Sequence, residues 1–214
     1  MMKNRKYGLA VGIFFIIATV AGITALSPLK EVEAMQNIVS LAGAAQTSGY
    51  LIMAMGIACA SIAIWIYPVI KDLRPGLATA AVAFRGIEGG IFILSAIFLL
   101  PLGTSVVDAS EAHLLYAIFD VCGNISAIAF CLGALMYYIA FWQLRVVPAW
   151  LSGWGIIAIA MHLVATVMTF GGMESFGVLG VTLNLPIALQ EMVLAGWLII
   201  KGFNSPNPSK EAIA

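Results

Sequence analysis

The sequence has few charged residues, which make up 9% of its 214 positions, whereas hydrophobic residues make up 62%. A soluble domain averages about 25% charged and 45–50% apolar residues. So few charges cannot cover a water-exposed surface, and this excludes an ordinary soluble domain. The formal net charge is zero, which argues against nucleic acid as a partner because nucleic-acid binding needs a basic face. We therefore expect membrane lipids as the surroundings of this chain.

Residue types that bind metals or form disulfides are also scarce. The three cysteines, Cys59, Cys122 and Cys131, all lie in apolar runs, and no CxxC or HExxH pattern occurs. A bis-histidine haem would need the two histidines at one depth, but His113 lies near the predicted membrane boundary and His162 lies inside a span. The sequence predicts no metal and no cofactor.

Long apolar runs dominate what remains. A membrane core of about 30 Å requires about 20 apolar helical residues, and six runs meet that length. The fold class predicted is an all-α polytopic membrane helix bundle with six transmembrane helices in one domain, residues 1–202. The predicted spans are 7–26, 48–70, 77–101, 113–142, 150–171 and 183–202.

Two segments outside the spans carry predictions of their own. Apolar residues recur at helical spacing over residues 27–47, with charges between them. This pattern is typical of an amphipathic helix on the outer surface, and an outward extension of the second span is the alternative. Residues 203–214 are polar and contain proline, which predicts a disordered cytoplasmic tail.

The basic residues indicate the orientation in the membrane. Eight of the ten Lys and Arg residues fall on one side of the predicted spans: Lys3, Arg5, Lys6, Lys71, Arg74, Arg145, Lys201 and Lys210. Basic residues are enriched on the cytoplasmic side of membrane proteins. We therefore predict a multi-pass protein of the plasma (inner) membrane with both termini in the cytoplasm.

Several polar residues lie inside the predicted spans, although a charge at the centre of a membrane helix costs roughly 2.5–3.5 kcal/mol. Helical spacing places most of them on stripes with small residues, which predicts that they face other helices rather than lipid. Four of the helices present an ionisable group at a similar depth, which predicts a common cluster in which acids on other helices neutralise the arginine. The predicted ligand or structural cluster is Arg85, Glu88, Asp120, Asn124, His162, Gln190 and Glu191.

Three segments also resemble a known family: AFRGIEGGI at 83–91, VVPAWLSGWG at 146–155 and PIALQEMVLAGWLIIKGF at 186–203. They are similar to a bacterial family of six-span membrane proteins catalogued as domain of unknown function 4386. The resemblance implies that family motif positions fall on Arg85, Glu88, Pro148, Trp150, Gly153, Gln190, Glu191 and Lys201. In the family a basic residue commonly follows the loop proline, whereas this chain has Ala149 there. The family has no established activity to transfer.

Three interpretations of the cluster stay open. It fastens the helices, which predicts a dry core, and the sequence favours this structural interpretation. Alternatively, it transports or senses a proton, a cation or a small polar solute, which predicts an accessible cavity, a small cationic or protonatable ligand and, for so small a bundle, a homo-oligomer. The third interpretation is a membrane-embedded enzyme acting on a lipid or quinone, with Glu191 and His162 as acid and base, but the sequence favours a protein that is not an enzyme.

Overall fold

Six long helices account for most of the chain. The structure is a computed structural model that describes residues 2–33, 42–103, 107–173 and 177–206. The helices are α1 (Met2–Glu33), α2 (Ala42–Ile70), α3 (Pro75–Leu99), α4 (Ala109–Leu144), α5 (Ala149–Phe170) and α6 (Val178–Ile200), and a 3₁₀ turn at Leu100–Gly103 follows α3.

Each helix is long and apolar enough to cross a membrane by its length and composition. Within the described ranges no strand occurs. The predicted all-α fold with six such helices is therefore confirmed. The side of the membrane on which each terminus lies stays a prediction.

Local sequence explains where several helices begin and end. Pro75 occupies the first turn of α3, where its missing N–H costs no hydrogen bond. Asp108 caps α4, because its side chain accepts hydrogen bonds from the N–H groups of Ser110 and Glu111 while the Glu111 carboxylate accepts one from the Asp108 N–H. Arg145 ends α4 in the left-handed conformation, with φ of 54°, and thereby allows the tight turn into α5.

The six helices form a closed ring. Each helix packs against the helices before and after it in the sequence, and α1 packs against α6. Small residues set the closest approaches: a Cβ added to Gly56 of α2 would lie 2.6 Å from the Gly89 carbonyl oxygen of α3, and one added to Gly8 of α1 would lie 2.7 Å from Gly202 Cα. Glycine at these positions therefore lets the helix backbones touch, as is typical of membrane bundles.

Large apolar side chains point away from the ring, and Ile157, Val178 and Ile200 are each 65% exposed or more. Two clusters of buried side chains fill the inside. One lies toward the end of the bundle that holds the α4–α5 turn and contains Tyr137, Tyr138 and Phe141; the other lies toward the opposite end. An outward apolar surface of this kind matches a lipid environment.

Two predicted boundaries need correction. Residues 27–33 continue α1, and residues 42–47 begin α2, as the alternative of an extended second span predicted. Residues 34–41, the middle of the predicted amphipathic helix, lie outside the described residues. The predicted tail is ordered at its start, because Phe203 is 5% exposed and the Asn204 N–H donates to the Val146 carbonyl at 2.8 Å. Residues 207–214 lie outside the described residues.

Candidate ligand site in the helix ring

The buried face of α3 carries an ion pair. Arg85 and Glu88 are 1% and 2% exposed, and they share that face with Ala81, Gly89 and Ala96, as the helical spacing predicted. The Arg85 Nη1 atom lies 2.8 Å from Glu88 Oε2. The nearest acid to the arginine is thus on its own helix, one turn away, and not on another helix as predicted.

Helix α4 holds this pair in place. Gly133 leaves room for the arginine stem, since a Cβ there would lie 2.8 Å from Arg85 Cγ. The guanidinium carbon lies 4.9 Å from the centroid of the Phe130 ring, a distance typical of a cation–π contact. The Ser126 hydroxyl donates to the Glu88 carbonyl oxygen at 3.0 Å. The pair is therefore fixed on one side and faces the middle of the ring on the other.

Adjacent residues of α6 have different surroundings. Gln190 is fully buried, accepts a hydrogen bond from the Tyr138 hydroxyl at 2.5 Å, and donates one to the Leu151 carbonyl at 3.0 Å. It thus ties α6 to α4 and α5. Glu191 has a buried Oε1 atom with no hydrogen-bond partner among the described residues, and it is close enough to Arg85 and Glu88 to interact electrostatically with both.

His162 of α5 is oriented by its neighbours. Its Nδ1 atom lies 2.6 Å from Asn184 Oδ1 of α6, so Nδ1 is the protonated nitrogen if that oxygen is the acceptor. The ring meets Phe130 edge-on at a centroid distance of 5.3 Å. The Phe130 ring therefore contacts both the imidazole and the Arg85 guanidinium.

Asp120 and Asn124 do not join this group. Asp120 is exposed, Asn124 is half-buried, and the Asn124 amide lies 3.4 Å from the Asp120 carboxylate. The prediction that Asp120 faces the cluster is wrong. Phe119 occupies the buried position at that level, and each residue turns a helix by about 100°, so the next side chain points away from the core.

A cavity of about 450 Å³ lies in the ring, and every helix contributes to its wall. Most lining side chains are apolar, and the ionisable ones besides Cys59 are Arg85, Glu88, His162 and Glu191. The lining residues are Ala18, Thr19, Gly22, Ile23, Met55, Cys59, Ile62, Arg85, Glu88, Phe92, Ala127, Phe130, His162, Ala188 and Glu191.

The charges around this cavity do not balance. Arg85 carries one positive charge against the two acids Glu88 and Glu191, and the contact of His162 Nδ1 with Asn184 suits both a neutral ring and a protonated one. An uncompensated charge inside a membrane is costly, so the site calls for one further positive charge, either a proton or a bound cation. Within the described ranges, no group of three His, Cys, Asp or Glu side chains is arranged to hold a metal ion.

A family model described as "Domain of unknown function (DUF4386)" matches residues 10–202. This match covers most of the 214 residues and confirms the resemblance, so the chain belongs to that family. Comparisons with curated proteins and with solved structures found no match.

Proposed function

We propose that this member of the DUF4386 family binds a small cation with an apolar body in its central cavity, for transport or sensing. The observation that carries the proposal is the Glu191 carboxylate, whose buried Oε1 atom lacks a hydrogen-bond partner among the described residues, in the wall of a cavity of about 450 Å³. A cavity of this volume lies within the range of about 300–1,000 Å³ that small-molecule sites occupy.

The charge of the ligand follows from the acids. Arg85 pairs with Glu88 at 2.8 Å, and this leaves Glu191 as the acid in excess. A ligand cation next to Glu191 neutralises it without a proton. Arg85 disfavours a cation on its own side of the cavity, so the cationic group belongs near Glu191.

The body of the ligand follows from the walls. Met55, Ile62, Phe92 and Phe130 line the space around the charged groups, and such walls offer few hydrogen bonds to a polar solute. A sugar or an amino acid would leave most of its polar groups unpaired, at a cost of about 1–3 kcal/mol for each group. An apolar body avoids that cost.

The structural interpretation applies to Gln190, which joins helices and does not line the cavity. Its two hydrogen bonds join α4, α5 and α6, and each interhelical bond in a membrane contributes on the order of 0.6 kcal/mol. A purely structural cluster predicts a dry, filled core at Glu191 as well, and the cavity there favours a ligand. Gln190, which joins the helices, and Glu191, which lines the cavity, are thus adjacent residues of α6.

The predicted location is part of the proposal. We place the chain in the plasma membrane of a bacterium with both termini in the cytoplasm. The distribution of charge supports this orientation: the end of the ring that holds the start of α1 and the end of α6 carries Arg5, Lys6, Lys71, Arg74, Arg145 and Lys201 against a single acid, Asp72, among its described side chains.

The test compares a permanent cation with its uncharged isostere. Calorimetry on the purified protein in detergent measures binding of benzyltrimethylammonium and of neopentylbenzene, which have the same shape. We expect the cation to bind more tightly, and Glu191→Gln to weaken it more than about tenfold, because removing one partner of a buried charge pair costs about 2–5 kcal/mol.

Asp120→Asn is the matched control, since it also removes one acid but lies outside the cavity, and it should bind like the wild type. Thermal unfolding establishes that both variants are folded. Equal affinity for the two isosteres, or an unchanged affinity in Glu191→Gln, would show that the cavity does not select a cation.

A further inference from the structure

A second pocket lies where the start of α1 meets the end of α6. Its volume is about 520 Å³, and its lining residues are Asn4, Arg5, Ile200, Lys201, Phe203, Asn204 and Ser205. It shares no residue with the central cavity. An inference about it therefore stands independently of the proposed function.

Close backbone packing builds this pocket. Gly202 has φ of 73°, a conformation that favours glycine, and it lies against α1, since a Cβ there would be 3.0 Å from Arg5 Cα. The chain then turns back onto the end of α4 and the α4–α5 connection. The centroid of the Phe203 ring lies 5.6 Å from that of Phe141 on α4, and the Asn204 N–H donates to the Val146 carbonyl in the connection. The wall formed by residues 203–205 is thus anchored at both the side chain and the backbone.

The charge of the pocket is positive. Arg5 and Lys201 are exposed, and none of the described residues that line the pocket is acidic. Within the described part of the chain, neither of them forms an ion pair or a cation–π contact, whereas three other basic residues at the same end of the ring have partners. Arg74 bonds to Gln143, Lys71 lies over Tyr67 and Arg145 lies over Trp142.

The position of the pocket indicates what kind of anion it takes. Ile200 is 69% exposed and continues the outward apolar surface of α6, while Asn4, Asn204 and Ser205 offer polar donors at its other edge. A guanidinium binds phosphate oxygens bidentately, and basic pockets between membrane helices bind lipid head groups. An anionic phospholipid fits both edges, with its phosphate between the cations and its acyl chains along Ile200.

We propose that the pocket at Arg5 and Lys201 binds the phosphate of an anionic phospholipid head group. The same side chains would bind free phosphate, but a free anion makes no apolar contact with the edge formed by Ile200. The bound lipid would join the two ends of the chain, α1 and α6, at the point where the ring closes.

The experiment is native mass spectrometry of the purified protein after exchange into detergent with phosphatidylglycerol or with phosphatidylcholine. We expect the wild type to retain one or more phosphatidylglycerol molecules in preference to phosphatidylcholine. The variant Arg5→Gln/Lys201→Gln should lose that retention by roughly tenfold or more, as expected from about 1 kcal/mol per basic residue near an anionic lipid. The control variant Lys6→Gln/Lys71→Gln removes the same charge from the same end outside the pocket and should retain the lipid.

Two results would overturn the proposal. Equal loss in both double variants would mean that the lipid follows the general charge of that end and not this pocket. Full displacement of the lipid by inorganic phosphate at a similar concentration would mean that the pocket is a free-anion site. Thermal unfolding without added lipid identifies a variant that is misfolded, and in that case the single variant Lys201→Gln, expected to show a smaller loss, replaces the double one.

Discussion

Arg85 is the residue whose loss has the largest expected effect on stability. It is buried with Glu88 at 2.8 Å, and Glu191 shares its cavity. Replacing Arg85 with Leu leaves two buried acids without a cation, and breaking a buried pair in this way costs about 3–5 kcal/mol. We expect a marked fall in the unfolding temperature of Arg85→Leu measured in detergent.

The companion variants separate charge from packing. Arg85→Leu/Glu88→Gln removes one of the stranded acids and should recover part of the lost stability. If the double variant is no more stable than Arg85→Leu alone, the ion pair is not what stabilises α3, and the arginine acts through its packing on Gly133 and Phe130.

For single residues, the sequence predicted the charged side chains of the cavity and missed the apolar ones. Arg85, Glu88, His162 and Glu191 were recognisable because each is a polar residue in an apolar run. Phe130 and Cys59 line the same cavity, but an apolar residue among apolar residues carries no signal. Asn184 was detectable in principle, since it lies two turns before Glu191 on the same helix face.

The close packing of α2 and α3 depends on single glycines, and alanine substitutions at two adjacent glycines of α3 test this. A Cβ on Gly89 would clash with the backbone of Gly56 on α2, whereas a Cβ on Gly90 would meet nothing within 4 Å. We expect Gly89→Ala to lower the free energy of unfolding by about 1–3 kcal/mol, as overpacking typically does. Gly90→Ala should be neutral or slightly stabilising, because alanine favours helix over glycine. Similar unfolding free energies for the two variants would contradict the close α2–α3 contact.

The cap of α4 gives a prediction about pH. Hydrogen bonds from the N–H of Glu111 and from Ser110 lower the pKa of Asp108 below its ordinary value of 3.8. A lowered pKa in the folded state means that the ionised cap stabilises the protein above that ordinary value and that this contribution is lost as the pH falls through the folded pKa. We expect Asp108→Ala to unfold at a lower temperature than the wild type at neutral pH, and the difference to shrink below about pH 4.

Asp108→Asn is the control, since asparagine also caps helices but does not titrate. Its unfolding temperature should lie between those of the other two at neutral pH. A difference between wild type and Asp108→Ala that is the same at neutral and acidic pH would mean that the cap carboxylate contributes nothing through its charge.

The helices themselves were largely predictable, because an apolar run of membrane length has few alternatives in lipid. The first helix is the exception. Its predicted span ends at residue 26, yet α1 continues to Glu33. Helical spacing over residues 27–47 indicated a helix there, but not that residues 27–33 continue the first span. Spacing on α4 also failed at Asp120, since a periodic stripe does not tell which part of a 36-residue helix faces its neighbours.

For the whole molecule, the order of the helices around the ring could not be predicted from the sequence. Six spans of similar hydrophobicity can be arranged in many ways, and no pattern in one chain says that α1 closes against α6. The closed ring is nevertheless what creates the cavity, because every helix contributes to its wall. The central claim concerning function therefore depends on this arrangement more than on any one residue.

Cys59 gives the most direct test, because it is a native thiol in the cavity wall. The protein with Cys122 and Cys131 replaced by Ser is treated in membranes with N-ethylmaleimide, with and without benzyltrimethylammonium. The control retains only Cys131; both thiols are buried, at 6% exposure for Cys59 and 1% for Cys131, but Cys131 does not line the cavity. We predict that Cys59 is labelled, that benzyltrimethylammonium slows its labelling, and that Cys131 stays unlabelled. A Cys59 that resists labelling in the folded protein, or reacts at the same rate with the cation present, would contradict an accessible cation site in the ring.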